Sequence, residues 1–267
     1  MASSALSGTC PPPQPLVVWL RMGHVVSLGP SMELDTHSSA LACLGVGVQG
    51  PFTVRSDGHP DVTARSFLFR ARKPHNIVRS AGRLLFCYFD PTSAAMTRSL
   101  GGMLRTVHGC AVDHHREAEL IALCEHPHLG VENVLELASI PAAAPRDIRI
   151  AKAASVIRAD PAAAHRAAKL AAEVGLSQSY FLRQFSEQTG TSFRRYIQWA
   201  RILRAAQGHI SGHDATRCAA DAGFATPSHF TDTFHRMFGF TPTALVRAGA
   251  QIHVEPREVQ QGIRACS

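Results

Sequence analysis

The stretch from Ala172 to Pro242 states one pattern twice, and that repetition limits what this part of the chain can become. The first copy reads AEVGLSQSYFLRQFSEQTG (Ala172 to Gly190) and the second ADAGFATPSHFTDTFHRMFG (Ala220 to Gly239). Gly175 and Gly223 are 48 positions apart, while Phe185 and Phe234, like Gly190 and Gly239, are 49 apart. The second copy therefore carries one extra residue between its Gly and its Phe. Two copies are too few for a solenoid, which needs about three or more to bury a continuous core.

Two related helical units fit better. In each, an Ala-rich helix ends at a Gly that can take positive φ, and a second helix starts at a Ser or Thr cap (Ser177; Thr226, followed by Pro227). Helix, tight Gly turn, helix is the helix-turn-helix pattern, whose second helix can enter a major groove. Between the units, Phe193 to Gln207 repeats apolar residues at Phe193, Tyr196, Ile197, Ala200, Leu203 and Ala206. A helix of about fifteen residues spans roughly 22 Å, a rigid spacer able to set the units about one DNA turn apart.

Charge supports this reading. The whole chain of 267 residues carries a formal +7, but residues 1–145 hold 11 basic and 11 acidic residues, whereas residues 146–267 hold 16 and 9. All the excess therefore sits in the half with the repeat, as expected of a polyanion-binding module joined to a neutral partner. Arg supplies 24 of the 27 basic residues, but abundance alone leaves the asymmetry unexplained. Neither terminus carries a basic amphipathic helix, so double-stranded DNA is preferred to a membrane surface. Seven scattered Cys without a C-x-x-C pair argue against a disulfide framework or zinc site, and no apolar run is long enough for a membrane span or signal peptide. The expected location is cytoplasmic.

Residues 1–14 read as a disordered tail. From residue 15 to 90 short apolar runs are split by turn residues: Leu16 to Leu20, His24 to Leu28, Ala40 to Val48, Phe52 to Arg55, Ser66 to Phe69, Asn76 to Val78 and Leu84 to Phe89. Close-spaced strands without intervening helices predict a small β-sandwich or barrel. Residues 91–138 read as helical, over Ala94 to Leu104, Arg116 to Glu125 and Val131 to Ala138. In the last of these, Val131, Val134, Leu135 and Ala138 form one stripe, suited to core packing or to a second subunit. SIPAAAP (Ser139 to Pro145) reads as a linker, placed at 139–146. Residues 147–250 form the all-α unit, opening on a helix capped by Asp147, and 251–267 a C-terminal tail.

GLSQSYFLRQF (Gly175 to Phe185), Thr189-Gly190, the Arg-rich helix and GFATPSHFTDTFHRMFGFTP (Gly223 to Pro242) together resemble the AraC/XylS family of transcription regulators, over about 100 residues. More weakly, ELDTH (Glu33 to His37), KPH (Lys73 to His75) and LLFCYFDPTS (Leu84 to Ser93) resemble the cupin-like sensor domain of some members. The resemblance implies a mainly β, cupin-like barrel followed by helices, then an all-α domain with two helix-turn-helix units joined by a long helix. It implies base contacts from Gln178, Ser179, Leu182 and Arg183 in unit one, and from Pro227, Ser228, His229, Thr231 and Asp232 in unit two. Ser177 and Thr226 stand at the caps, and Arg194, Arg195, Arg201, Arg204, Arg217 and Arg236 are candidates for phosphate contact.

The residues agree in part. If Phe181, Phe185, Phe230 and Phe234 anchor the helices, their neighbours face outward. Arg183 can bond guanine O6 and N7 bidentately; a phosphate clamp or a partnership with Glu187 are its other uses. Two positions depart from the family pattern: Asp232 stands where many relatives carry a base, and Leu182 where they carry a polar reader. Unit two is therefore expected to contribute less affinity than unit one.

The functional expectation is a sequence-specific DNA-binding regulator, not an enzyme, with a small-molecule effector in the barrel, a homodimer, and contact with RNA polymerase if it activates. The effector pocket is expected near Trp19, His37, Phe52, Arg55, Phe69 and His75. The alternatives are a cupin-type metalloenzyme, for which His37 and His75 lack the further ligands a metal requires, and a dimerisation module with no ligand. No metal, catalytic residue or cofactor is expected.

Overall fold

The computed structural model describes residues 14–254 except 22, 33, 91, 93–97, 127–128 and 142–146. Residues 1–13 of the tail expected over 1–14, most of the linker, and residues 255–267 of the C-terminal tail lie outside the described residues.

The elements follow in order: β1 (Val17–Arg21), β2 (His24–Pro30), β3 (Cys43–Gly47), β4 (Phe52–Arg55), β5 (Val62–Ala64), β6 (Ser66–Phe69), β7 (Asn76–Ser80), β8 (Arg83–Phe89), β9 (Arg98–Leu100), β10 (Met103–Val107) and β11 (Cys110–His114). Next come α1 (Glu117–Glu125), α2 (Val131–Ala138) and β12 (Ser139–Pro141). The helical half is α3 (Ile148–Ala159), α4 (Ala167–Glu173), α5 (Gln178–Thr189), α6 (Phe193–Ile210), α7 (Ala215–Asp221), α8 (Pro227–Phe238) and α9 (Pro242–Arg247), and β13 (Gln251–Val254) closes the described chain.

Eight strands form one sheet in the order β10-β11-β6-β3-β8-β2-β1-β13, and β5-β4-β7 form a second; among the described residues the barrel does not close. Side chains alternate across the large sheet, as strand geometry requires. On β8, Leu85, Cys87 and Phe89 join a core with α1 and α2. Leu84, Phe86 and Tyr88 point the other way, and all three line a cavity described below. The stripe Val131, Val134, Leu135 and Ala138 is buried in that same core with Leu85, Cys87 and Phe89, so it serves packing within the chain and not a second subunit.

Two expectations are corrected. The helix expected over Ala94 to Leu104 is replaced, where described, by β9 and the start of β10, because Gly101-Gly102 interrupts it and Gly102 adopts φ +84°. The C-terminal tail begins with a strand: β13 pairs in parallel with β1, Val17 opposite Gln251 through Leu20 opposite Val254.

In the helical half the local signals act as the sequence suggests. Asp147, Ser177 and Thr226 cap α3, α5 and α8 through side-chain oxygens that accept backbone N–H bonds. α6 is 18 residues long, about 27 Å at about 1.5 Å per residue. Its buried residues, Phe193, Tyr196, Trp199, Ala200, Ile202 and Ala205, spread over a wide arc. α6 packs against α3, α5, α7 and α8, so one narrow stripe would not cover its neighbours.

The two turn glycines differ in surroundings. Gly175 (φ +68°) has open space where a Cβ would stand, whereas at Gly223 (φ +83°) a Cβ would meet Ala162 Cα at 2.7 Å. Gly175→Ala should therefore cost about 1–2 kcal/mol, for the left-handed backbone alone. Gly223→Ala should cost more, since Ala162 must shift as well. Urea unfolding of the two variants checks this, and equal losses would show that Ala162 moves freely.

Candidate functional site

Two regions stand out, the exposed faces of α5 and α8 and the seam where the helical half meets the sheet. In α5, Phe181 and Phe185 are fully buried, and their rings pack edge-on with Phe193 at 5.6 and 5.5 Å. This anchoring leaves Ser177, Gln178, Ser179, Leu182 and Arg183 exposed. The Arg183 guanidinium lies 5.1 Å from the Tyr180 ring centroid, a cation–π contact that holds it on the exposed face. Glu187 accepts from Gln184 Nε2 at 2.7 Å. In α8, Phe234 and Met237 are buried while Thr226, Pro227, Ser228, Asp232 and Arg236 are exposed. His229 and Thr231 are half-buried, with the His229 ring edge-on to Phe224 at 5.4 Å. The Arg236 guanidinium donates to Thr233 Oγ1 at 3.4 Å.

The basic residues expected at phosphates separate into free and engaged. Arg194 and Arg204 are exposed. Arg201 donates to Pro161 O at 2.9 Å, and Arg217 pairs with Asp221. Arg195 is drawn into the seam, where its guanidinium donates to Ser38 O and, at 3.0 Å, to Ser38 Oγ. That removes Arg195 from the DNA-facing set in this conformation.

The seam is extensive. Leu20, Val25, Ala40 and Leu41 of the sheet half share one buried core with α3 to α8, and Tyr88 packs against Trp199 and Phe238 at 5.7 and 5.9 Å. Beside this core lies a buried polar group. Tyr196 Oη donates to Asp90 Oδ2 at 2.5 Å, and Arg158 Nη1 reaches Asp90 Oδ2 at 3.2 Å, Tyr196 Oη at 2.6 Å and Thr92 Oγ1 at 2.7 Å. Burial, reinforced by Asp90, pushes the Tyr196 hydroxyl well above its usual range, so it remains a donor. The segment after β2 grips the C-terminal end of α8: Asp35 N donates to Gly239 O at 2.8 Å, Ser38 N to Arg236 O at 3.2 Å, and Asp35 Oδ2 meets His235 Nε2 at 2.9 Å.

Above that grip a cavity of about 120 Å³ opens between the sheet and the helices α8 and α9. Its walls include Phe69, Phe86 and Tyr88 from the sheet and Phe234, Phe238 and Leu245 from the helices. Of the six residues expected to bind an effector, His37, Phe69 and His75 line it. The other three do not. Phe52 is packed between Phe67 and Phe69 in a separate core, Arg55 pairs with Asp61 on the surface, and Trp19 is partly buried beside α1 and α2. Strand alternation explains the miss, because register decides which face a residue of a given type takes. The helical contribution, Phe234, Phe238, Phe240 and Leu245, was not foreseen, since it depends on how the halves dock.

His37 and His75 sit side by side in this wall, joined by a backbone bridge, with ring centroids 4.4 Å apart and planes tilted by 55°. Burial pulls both imidazoles below their ordinary value, His75 to about 4.

The chain thus joins an open sheet half to a helical half that carries two helix-turn-helix units. Residues 170–248 match the family model described as a helix-turn-helix domain. This part of the chain is therefore similar to helix-turn-helix domains, and the residues that carry the resemblance to AraC/XylS regulators lie largely within it. Curated relatives include the virulence regulon transcriptional activator VirF of Yersinia enterocolitica and the thermoregulatory protein LcrF of Yersinia pestis. Each is 37% identical over 76 residues, and the match spans 28% of this chain and 28% of each relative. Among solved structures, apo ToxT of Vibrio cholerae superposes over 85% of this chain and 98% of its own, with a TM-score of 0.58 at 14% identity. Wild-type ToxT bound to an unsaturated fatty acid does so over 84% and 95%, with a TM-score of 0.56 at 13% identity. The two-domain fold is thus a known one. Among the described residues no helix is long and apolar enough to cross a membrane, and no group of three His, Cys, Asp or Glu could hold a metal.

Proposed function

We propose that the chain is a sequence-specific, double-stranded-DNA-binding transcription regulator of the cytoplasm, with residues 147–250 as its DNA-binding domain and residues 15–138 as its sensor. The observation that carries this reading is the pairing of buried Phe181 and Phe185 with an exposed Ser177–Arg183 face on α5. A helix so anchored presents its N-terminal turns outward, as a recognition helix must. Unit one reads sequence through Arg183, with Gln178 and Ser179 beside it. Unit two adds looser contact through Ser228, His229 and Arg236, because Asp232 is exposed there and repels phosphate.

The cavity at the seam is the effector site. The ToxT structure with an unsaturated fatty acid supports a largely apolar ligand for this fold. Because α8 forms one wall and its end is bonded to the segment holding Asp35 and Ser38, a ligand in the cavity biases how unit two is held. Homodimerisation and contact with RNA polymerase extend the same reading, through surfaces other than the α2 stripe.

Selection of bound fragments from genomic DNA, followed by affinity measurement on the recovered site, tests the proposal. Arg183→Ala should weaken specific binding by about 1–3 kcal/mol and relax preference at one base position. Uniform weakening over all sequences would make Arg183 a phosphate contact, and failure to recover any preferred site would remove the regulator reading.

A further inference from the structure

His37 Nδ1 lies 2.9 Å from Asp35 O, and His75 Nδ1 lies 3.0 Å from Lys73 O. A carbonyl oxygen can only accept, so in both rings Nδ1 carries the proton. The remaining nitrogen of each neutral ring, Nε2, is then an acceptor with a free lone pair. Both rings line the cavity, and both stay neutral at physiological pH because burial disfavours the imidazolium. His235 beside His37 acts in the same direction. Among the described residues lining the cavity there is no Lys, Arg, Asp or Glu. The rest of the wall is apolar apart from the hydroxyls of Ser27, Ser31, Ser39 and Tyr88 and the Cys43 thiol, which donates to Leu44 O at 3.6 Å.

Such a wall offers two imidazole acceptors and a few neutral hydroxyls but no fixed cation. An ionised carboxylate entering it would lose its hydration without gaining a counter-charge, which is costly. A neutral hydroxyl would lose little, because an imidazole lone pair replaces the water it donated to. Size narrows the class further. The cavity, about 120 Å³, is close to an engineered apolar cavity of about 150 Å³ that accepts benzene. Stacking of His75 on Phe69, with centroids 4.2 Å apart and planes 16° apart, gives the wall a flat aromatic face.

From this geometry we infer that the effector is a small, neutral, single-ring molecule bearing a hydrogen-bond donor, of the alkylphenol class, with His37 and His75 as the acceptors that select its head. The inference rests on the effector reading of the cavity and departs from simple transfer of the fatty acid seen in ToxT.

Three probes with one body and different heads test it on the full chain at pH 7.5: 4-ethylphenol, ethylbenzene and 4-ethylbenzoate, each titrated by calorimetry. The expected order is phenol first, the hydrocarbon about fivefold weaker for the lost hydrogen bond, and the benzoate roughly tenfold or more weaker than the phenol. His75→Phe and His37→Phe keep an aromatic ring in the wall. At least one of them should bring the phenol down to the hydrocarbon's affinity while leaving the hydrocarbon unchanged, a pattern that general loss of structure would not produce. If the benzoate or the hydrocarbon binds most tightly, or if both variants bind the phenol as the parent does, the cavity remains an effector site and the donor-headed class is wrong. If none of the three binds, the cavity is not a site for small ligands, and the inference falls together with the effector part of the proposed function.

Discussion

Asp90→Ala should lower the unfolding free energy by about 3–5 kcal/mol, the largest loss expected from any single polar substitution in this chain. Asp90 is 2% exposed and Arg158 11%, so removing the carboxylate leaves a guanidinium in the seam with only neutral partners. The same carboxylate accepts from Thr92 N at 2.8 Å and Thr92 Oγ1 at 2.6 Å, so the turn after β8 loses its closure as well. Tyr196→Phe is the control: it deletes one neutral hydroxyl from the group and should cost about 1–2 kcal/mol. Urea unfolding of both variants and the double variant gives the coupling between them. Because Asp90 follows β8 in the sheet half while Arg158 and Tyr196 belong to α3 and α6, the Asp90→Ala transition should also broaden, with a smaller m-value, as the halves cease to unfold together. A loss under about 1 kcal/mol with an unchanged m-value would show that water already shares this group.

What could be foreseen in the sequence, and what could not, follows the range of the interactions. Caps, turn glycines and aromatic anchors act within a few residues, so Ser177, Gly175, Phe181 and Phe185, and their counterparts in the second unit, were legible. Most strands of the sheet half were legible too, because turn residues bracket each apolar run. The hairpin β10–β11 was missed although its signal is local: His108 (φ +46°) and Gly109 (φ +79°) form a two-residue loop between paired Val107 and Cys110. That is a turn in which both central residues need positive φ. His-Gly is a less familiar form of it than Asn-Gly.

The seam was not legible, and for a different reason. Nothing near Asp90 in sequence shows that its partners lie 68 and 106 residues away in Arg158 and Tyr196. Nor does the text of β13 reveal that it joins β1, since an exposed four-residue strand carries little apolar pattern. Arg195 illustrates the consequence for function. On its own helix it looks like a phosphate contact, and only docking shows it spent on Ser38. If the proposed binding to DNA opens this seam, Arg195 is released to the backbone-facing set as α8 is freed from Asp35 and Ser38.

Acidification should weaken the fold over a window set by its buried histidines. His75 titrates at about 4 in the folded chain against about 6.5 when unfolded, so between those values the unfolded chain binds a proton that the folded chain refuses. Stability is therefore complete above about pH 6.5 and falls as pH drops, by up to about 1.4 kcal/mol per unit for one such group, levelling off near pH 4. His114, 3% exposed and also pulled to about 4 by burial and by His115, adds a second contribution of the same sign, and His37 a third. The depressed cap carboxylates Asp147 and Asp214 act in a separate range, since their stabilisation is lost only as pH falls below the ordinary carboxylate value. Unfolding free energies at pH 7.5, 6 and 5 should decline progressively more steeply, and His75→Phe should flatten the profile between pH 6 and 5. A profile independent of pH over this range, or one rising toward acid, would show that burial does not hold these imidazoles below their ordinary value in the folded chain.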